Sequence, residues 1–224
     1  MAEIKKILIA NRGEIVQRAI RTIREMGKKS VAVYSAGDKN ASYLKHADEA
    51  VCIGGPKSKD SYLNIPAIIT AAEMTGCDAI FPGYGFLSEN QDFVEICRLH
   101  NIKFIGPSVE VMEKMADKSK AKEEMIRAGV PVVPGSKGSV HSVTEGRKVA
   151  LEIGYPIMAK AAAGGGGRGM RLIKEESEFD QLFMAASSEA LAAFGDGTMY
   201  LERFINNPRH IEVQVVGDSH GNAI

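Results

Sequence analysis

The strongest restriction on the fold is an alternation running from Lys5 to Pro107, in which short apolar runs trade places with longer amphipathic ones. "KKILIA", "SVAVYS", "EAVCIG", "DAIFPG" and "KFIGP" read as buried strands. After the first, Ile15, Val16, Ala19, Ile20, Ile23 and Met26 share one stripe, which predicts a helix from about Ile15 to Met26 with Gly27 as its stop. "NIPAIITAAEMTG" predicts a second helix, with Asn64 capping its start, an early proline and Gly76 at its exit. A third covers about Asp92 to His100. Such a succession predicts a parallel sheet covered by helices on both faces. Ligands of these sheets approach the carboxyl ends of the strands, so "IANRGE", "FPGYGFLSEN" and "IGPS" are the candidate functional loops.

Beyond this sheet the pattern changes. Val109 to Ala128 reads as helical, interrupted at "ADKSK", and "GVPVVPG" (Gly129–Gly135) reads as a connector with two prolines. A smaller α+β pattern follows. It has a helix ending near Gly154, "PIMAK" and "MRLI" as strands, a helix over about Ser177 to Ala190, then "TMYLERF" and "RHIEVQVVGD" as further strands. "VVGDSHGNAI" reads as a strand, a turn at Asp218 to Asn222 and the opening of a partner strand. A domain does not naturally stop there, so the expectation is a piece of a longer protein.

Charge narrows what such a chain binds. Its 28 basic and 28 acidic residues cancel, so no global field recruits nucleic acid or an anionic membrane. Any anion must be held by a local arrangement. The opening "MAEIKKILIANRGE" is charged, and its apolar run is too short for a signal sequence or a membrane span, which makes the cytoplasm the expected location. Cys52, Cys77 and Cys97 form no Cys-x-x-Cys pair and are expected as buried reduced thiols. The five histidines are scattered without a His-x-x-x-His spacing, so no metal ligands are expected.

One stretch departs from all of this: "KAAAGGGGRGMRLI", Lys160 to Ile173, with five glycines in the six positions 164–169. Glycine in such density gives up conformational entropy, which implies that something approaches the backbone closely. Gly164, Gly166 and Gly169 formally satisfy G-x-G-x-x-G, but that dinucleotide fingerprint needs a helix directly after it, and "MRLI" is a strand. A G-x-x-x-x-G-K-[ST] phosphate loop is also absent. What survives is a β-loop-β flap whose backbone N–H groups converge on phosphate oxygens, with the Lys160 ammonium at its edge. A plain flexible linker is the weaker alternative, because such linkers seldom join two apolar strands at hairpin distance. "MYLERFI" suits a hinge strand whose backbone meets a purine edge, and His210 opens the next apolar run.

Taken in order and spacing, "ANRGEI", "SYLNIPAIITAAE", "FPGYGFLSEN", "FIGPS", "DKSKAK", "AGVPVVPG", "GGGGRGM" and "NPRHIEVQV" resemble the biotin carboxylase family of the ATP-grasp superfamily. The resemblance covers essentially the whole chain and is nearest to the subunit found in bacterial acetyl-CoA carboxylases. It implies an α/β fold: a doubly wound parallel-sheet domain over residues 1–114, a helical linker over 115–134, a small α+β lid with the glycine flap over 135–204, and the start of a large C-terminal domain over 205–224. It implies ATP-dependent carboxylation of biotin on a carrier protein, through carboxyphosphate made from bicarbonate, with a carboxyltransferase as downstream partner.

Position by position, the resemblance makes Lys118 and Lys160 nucleotide-contacting lysines, and Gly164, Gly165, Gly166, Gly167 and Gly169 the phosphate flap. It puts Glu202, Arg203, Phe204 and Ile205 on the adenine hinge and His210 at a further ATP contact. It places the catalytic residues and the magnesium ligands beyond Ile224, so the chain alone is expected not to turn over. Arg18, Arg21 and Glu25 line the polar face of the first helix, where the resembling subunits dimerise. The biotin carboxylase part of pyruvate carboxylase or of another acyl-CoA carboxylase is an alternative. From another class, a nicotinamide oxidoreductase would need a glycine fingerprint after the first strand, where "IANRGEI" has a single glycine. A non-catalytic nucleotide-binding module is the remaining alternative.

Overall fold

Alternate residues of the first strand, β1 (Lys6–Ile9), answer to opposite layers. Ile7 and Ile9 pack with Val16, Ile20 and Ile23 of α1 (Glu14–Glu25), whereas Leu8 joins Ile68, Ile80 and Phe93 in a separate core on the other face. The computed structural model describes residues 3–116, 118–162 and 169–224, in two compact units, Met1–Ala121 and Lys122–Ile224.

In the first unit β2 (Lys29–Tyr34), β3 (Glu49–Cys52), β4 (Ala79–Phe81) and β5 (Lys103–Phe104) join β1 in a parallel sheet of order β3-β2-β1-β4-β5. The register sets Leu8 beside Val31 and Ile80. α2 (Ile65–Met74) and α3 (Gln91–Leu99) cover the face opposite α1, and α4 (Val109–Ala116) closes the unit's helical set. The Asn64 side chain caps α2 by accepting from Ala67 N at 3.1 Å, as its position predicts, and Asn90 caps α3 through Phe93 N at 2.8 Å. The sheet order reverses between β1 and β4, which is where a doubly wound sheet opens its crevice.

The second unit takes up the latter part of α5 (Lys118–Arg127) and an antiparallel sheet of order β7-β6-β8. Its strands are β6 (Ile157–Ala161), β7 (Met170–Ile173) and β8 (Met199–Arg203). α6 (Val143–Ile153) and α7 (Phe179–Phe194) supply Ala150, Phe179, Phe183 and Ala186 to the core beneath Ile157, Ala159, Ile173 and Leu201.

Two expectations are corrected. Cys52 is exposed, because it ends β3, an edge strand that pairs with β2 alone among the described residues; Cys77 and Cys97 are buried free thiols as expected. "RHIEVQVVGD" forms no strand: Ile211 and Val213 are 74% and 78% exposed, with no strand paired alongside among the described residues. An alternating pattern yields a strand only where a neighbouring backbone accepts its hydrogen bonds. The turn at its end does form, with Gly217 paired to Ala223 and Asp218 accepting from His220 N and Asn222 N.

Candidate functional site

At the switch point of the first unit, Asn11 is buried between the loops that leave β1 and β4. Its Nδ2 donates to the carbonyls of Pro82 and Tyr84 at 2.7 and 2.8 Å. A Cβ at Gly83 would stand 3.0 Å from that nitrogen, and Gly83 has φ +65°, so glycine is required there twice over. Alongside, Asp38 accepts from Tyr62 OH at 2.7 Å, Ser35 Oγ at 2.9 Å and Arg12 Nη2 at 2.9 Å. Burial and then the Asp38 carboxylate push the Tyr62 phenol above its ordinary value. The polar groups here satisfy one another, so this network braces the loops.

The second unit presents a different surface. Residues at odd positions of β6 and β8, Ile157, Ala159, Ala161, Met199 and Leu201, face the core, and period two sends their neighbours the other way. The open face therefore carries Met158, Lys160 and Glu202 with Tyr200, and β7 adds Met170 opposite Lys160 and Leu172 opposite Met158. It is an apolar floor crossed by charge. Lys160 Nζ donates to Glu202 Oε2 at 2.5 Å, both side chains being part-exposed. Tyr200 stands directly across from Lys160 in the register, and its hydroxyl accepts from Lys122 Nζ at 2.6 Å.

The hinge stretch follows at the end of β8. Arg203 N donates to Pro134 O at 2.8 Å and Phe204 N to Pro156 O at 2.9 Å, while Gly135 pairs with Glu202. Ile205 is half-exposed, and its backbone N–H has no partner among the described residues. Gly169 closes the β6–β7 hairpin. Its carbonyl accepts from Ala161 N at 2.9 Å, and its φ of +65° and the Ala161 methyl, 2.9 Å from where its Cβ would be, both call for glycine.

Of the residues expected to handle nucleotide, the structure thus brings Lys160 and Glu202 together, with Arg203, Phe204 and Ile205 in sequence after them and Gly169 at the hairpin base. Gly164, Gly165, Gly166 and Gly167 lie outside the described residues, as does the side chain of Lys118, which opens α5. His210 is not gathered in: its side chain is 88% exposed, with Nε2 3.4 Å from Glu212 Oε2. Sequence reasoning missed Met158, Met170, Leu172 and Tyr200, although the alternation within "PIMAKA" and "TMYLERF" already sorts them onto the face of Lys160. Among the described residues no group of three or more His, Cys, Asp or Glu is placed to hold a metal ion. No helix among them is long and apolar enough to cross a membrane.

An apolar platform carrying an ammonium, next to a hinge whose Ile205 N–H has no partner among the described residues, suits a flat heteroaromatic ring carrying an anionic tail. Residues 3–112 match the family described as biotin carboxylase, N-terminal domain, and residues 117–224 match the carbamoyl-phosphate synthase L chain, ATP binding domain. The biotin carboxylase of Nostoc sp. is 58% identical over 219 residues, which are 98% of this chain and 49% of that protein. The crystal structure of a biotin carboxylase complex with β,γ-ATP from Campylobacter jejuni superposes with a TM-score of 0.83 at 66% identity, over 99% of this chain and 50% of that one. The biotin carboxylase domain dimer of Hydrogenobacter thermophilus 2-oxoglutarate carboxylase, solved with MgADP, ADP and bicarbonate, gives 0.80 at 49% identity, over 100% of this chain and 49% of that one. The chain spans about half the length of the curated relatives it matches, and over that span it belongs to the biotin carboxylase family.

Proposed function

We propose that the chain is the nucleotide-handling half of a biotin carboxylase, an enzyme that uses ATP and bicarbonate to carboxylate biotin on a carrier protein. The observation that carries this reading is the open face of the second unit. There Lys160 shares an open face with Met158, Met170 and Leu172, one strand away from the hinge and just before the glycine-rich stretch in sequence. In the proposal the purine lies on that face and meets the N–H of Ile205, while Lys160 and the amides of Gly164 to Gly167 receive the phosphates. Lys118 supplies a further cationic contact and His210 a further ATP contact, and Gly169 follows the glycine-rich stretch. Residues 135–204 act as the lid, 1–114 as the doubly wound domain, 115–134 as the linker and 205–224 as the start of the next domain. Magnesium carries part of the phosphate charge when ATP binds. In the proposal its ligands and the groups that make carboxyphosphate come from the part of the relatives that this chain does not span, and the 224 residues alone are proposed not to turn over.

The parent activity we propose is that of acetyl-CoA carboxylase in fatty acid synthesis, in the cytoplasm, with a carboxyltransferase as downstream partner. A 50% identity to the 2-oxoglutarate carboxylase small subunit of Hydrogenobacter thermophilus supports a 2-oxo acid acceptor as the second reading. Arg18, Arg21 and Glu25 are exposed on α1, on the side away from Val16, Ile20 and Ile23, and are proposed as part of a homodimer surface. The test of the nucleotide reading is Lys160→Ala in the full-length protein. Losing a charge-assisted phosphate contact should weaken ATP at least roughly tenfold by calorimetry, with circular dichroism unchanged. An unaltered ATP affinity would overturn it.

A further inference from the structure

We infer that Lys122 is a positioning residue for this nucleotide site, acting through Tyr200 on Lys160; the inference rests on the nucleotide reading above. Lys122 lies in α5, at the start of the second unit. Its ammonium donates to Tyr200 OH at 2.6 Å and stands 5.2 Å from the centre of the ring, so a hydrogen bond and a cation–aromatic contact act on one side chain. The room for it is built. A Cβ at Gly135 would lie 2.7 Å from Lys122 Nζ, 2.7 Å from Leu201 O and 3.1 Å from Tyr200 OH, so only glycine leaves this space to the ammonium. Gly135 is itself fixed, paired with Glu202 along the outer edge of β8, while Ser136 N donates to Leu201 O at 2.8 Å.

The consequence falls on Lys160. Tyr200 and Lys160 are direct cross-strand partners on the open face, the pairing in which side chains constrain one another most. With its hydroxyl held, the Tyr200 ring cannot sweep across the sheet, and fewer conformers remain open to the four-carbon stem of Lys160. Like charges act in the same direction. An ammonium already on the tyrosine side disfavours a second one there, and Lys160 instead reaches along β8 to Glu202, two residues on. Lys122 thereby holds the nucleotide lysine over the hinge end of the platform before any ligand arrives. Preorganisation of this kind strengthens ground-state binding of ATP and leaves the chemical step alone.

The experiment compares Lys122→Met, Tyr200→Phe, their double variant and Lys122→Arg in the full-length protein. It reads ATP affinity by calorimetry together with KM and kcat of bicarbonate-dependent ATP hydrolysis. Each single variant is expected to raise the ATP Kd and KM about five- to tenfold with kcat within about twofold, because the link removed is a charge-assisted hydrogen bond. The double variant should be no worse than either single one, as for two ends of one contact. Lys122→Arg, which keeps a cationic donor, should recover most of the affinity. An ATP KM within about twofold of the parent in Lys122→Met overturns the inference, and so does a lowered kcat and melting temperature at constant KM, the signature of a merely structural tie. Lys160→Ala run in parallel separates the two levels. If it loses ATP while Lys122→Met does not, the nucleotide reading stands and this inference falls; if it keeps ATP, both fall.

Discussion

Asp48 joins two strands at their starts. Its Oδ2 accepts from Ser30 N at 2.9 Å and Ser30 Oγ at 2.8 Å, its Oδ1 accepts from Lys29 Nζ at 3.0 Å, and its own N–H donates back to Ser30 Oγ at 3.2 Å. The Ser30 backbone bond first, then Lys29, holds this carboxyl down to about 2, against 3.8 when unperturbed. A pKa lowered by folding adds stability above the unfolded value and loses it as pH falls through the folded one. Asp48→Asn should therefore be less stable than the parent at pH 7, and the gap should close as pH drops from about 4 to about 2. Denaturant titrations followed by circular dichroism at pH 7, 4, 3 and 2 decide this; a gap independent of pH would refute it. Single residues of this kind were not legible in the sequence. Lys160 and Glu202 stood out because a glycine-rich stretch and the "MYLERFI" segment mark their surroundings in the sequence, whereas Asn11, Asp38 and Tyr62 act through partners up to 73 positions away. No local pattern marks such a partnership.

Whole elements were easier to read, because their signals are local and repeated. The stripe running to Ile23 marks α1, although its last expected member, Met26, follows the helix and is exposed, and apolar runs mark β1, β2 and β4, since both faces of each strand are covered. The cap of α2 was legible for the same reason: asparagine followed by proline near the helix start satisfies local N–H groups by local means. Asn64→Ala should accordingly cost about 1 kcal/mol of stability with no change in nucleotide affinity. Equilibrium unfolding checks it, and a loss below about 0.3 kcal/mol would mean that solvent replaces the cap without penalty. Where element reading failed, the missing information was non-local. Ile211, Val213 and Val215 alternate as strand residues do, but no described backbone runs beside them. The edge position of β3, which leaves Cys52 exposed, depends equally on which strands lie next to it.

At the scale of the molecule, zero net charge implies that a polyanion such as the proposed ATP is attracted by one surface rather than by the whole chain. The two units have separate cores, with Leu8, Ile68 and Phe93 in the first and Ile157, Phe183 and Leu201 in the second. A ligand that binds only the native form of one unit stabilises it by mass action, about 2.7 kcal/mol at a hundred times its Kd. Because amide exchange in a core proceeds through opening of that core, this corresponds to roughly hundredfold slower exchange where ATP acts. The amides of β6 and β8, together with Ser136 on the edge of β8, should gain this protection when ATP is added to the full-length protein. Those of β1, β2 and β4 should keep their rates, since the groups proposed to grip the nucleotide most directly, Lys160 and the hinge from Glu202 to Ile205, all belong to the second unit. Lys160→Ala should abolish the gain. Equal protection of both units would show that they open together, and protection confined to the first would move the nucleotide to the Asn11 and Gly83 loops, against the assignment to the open face of β6 and β8.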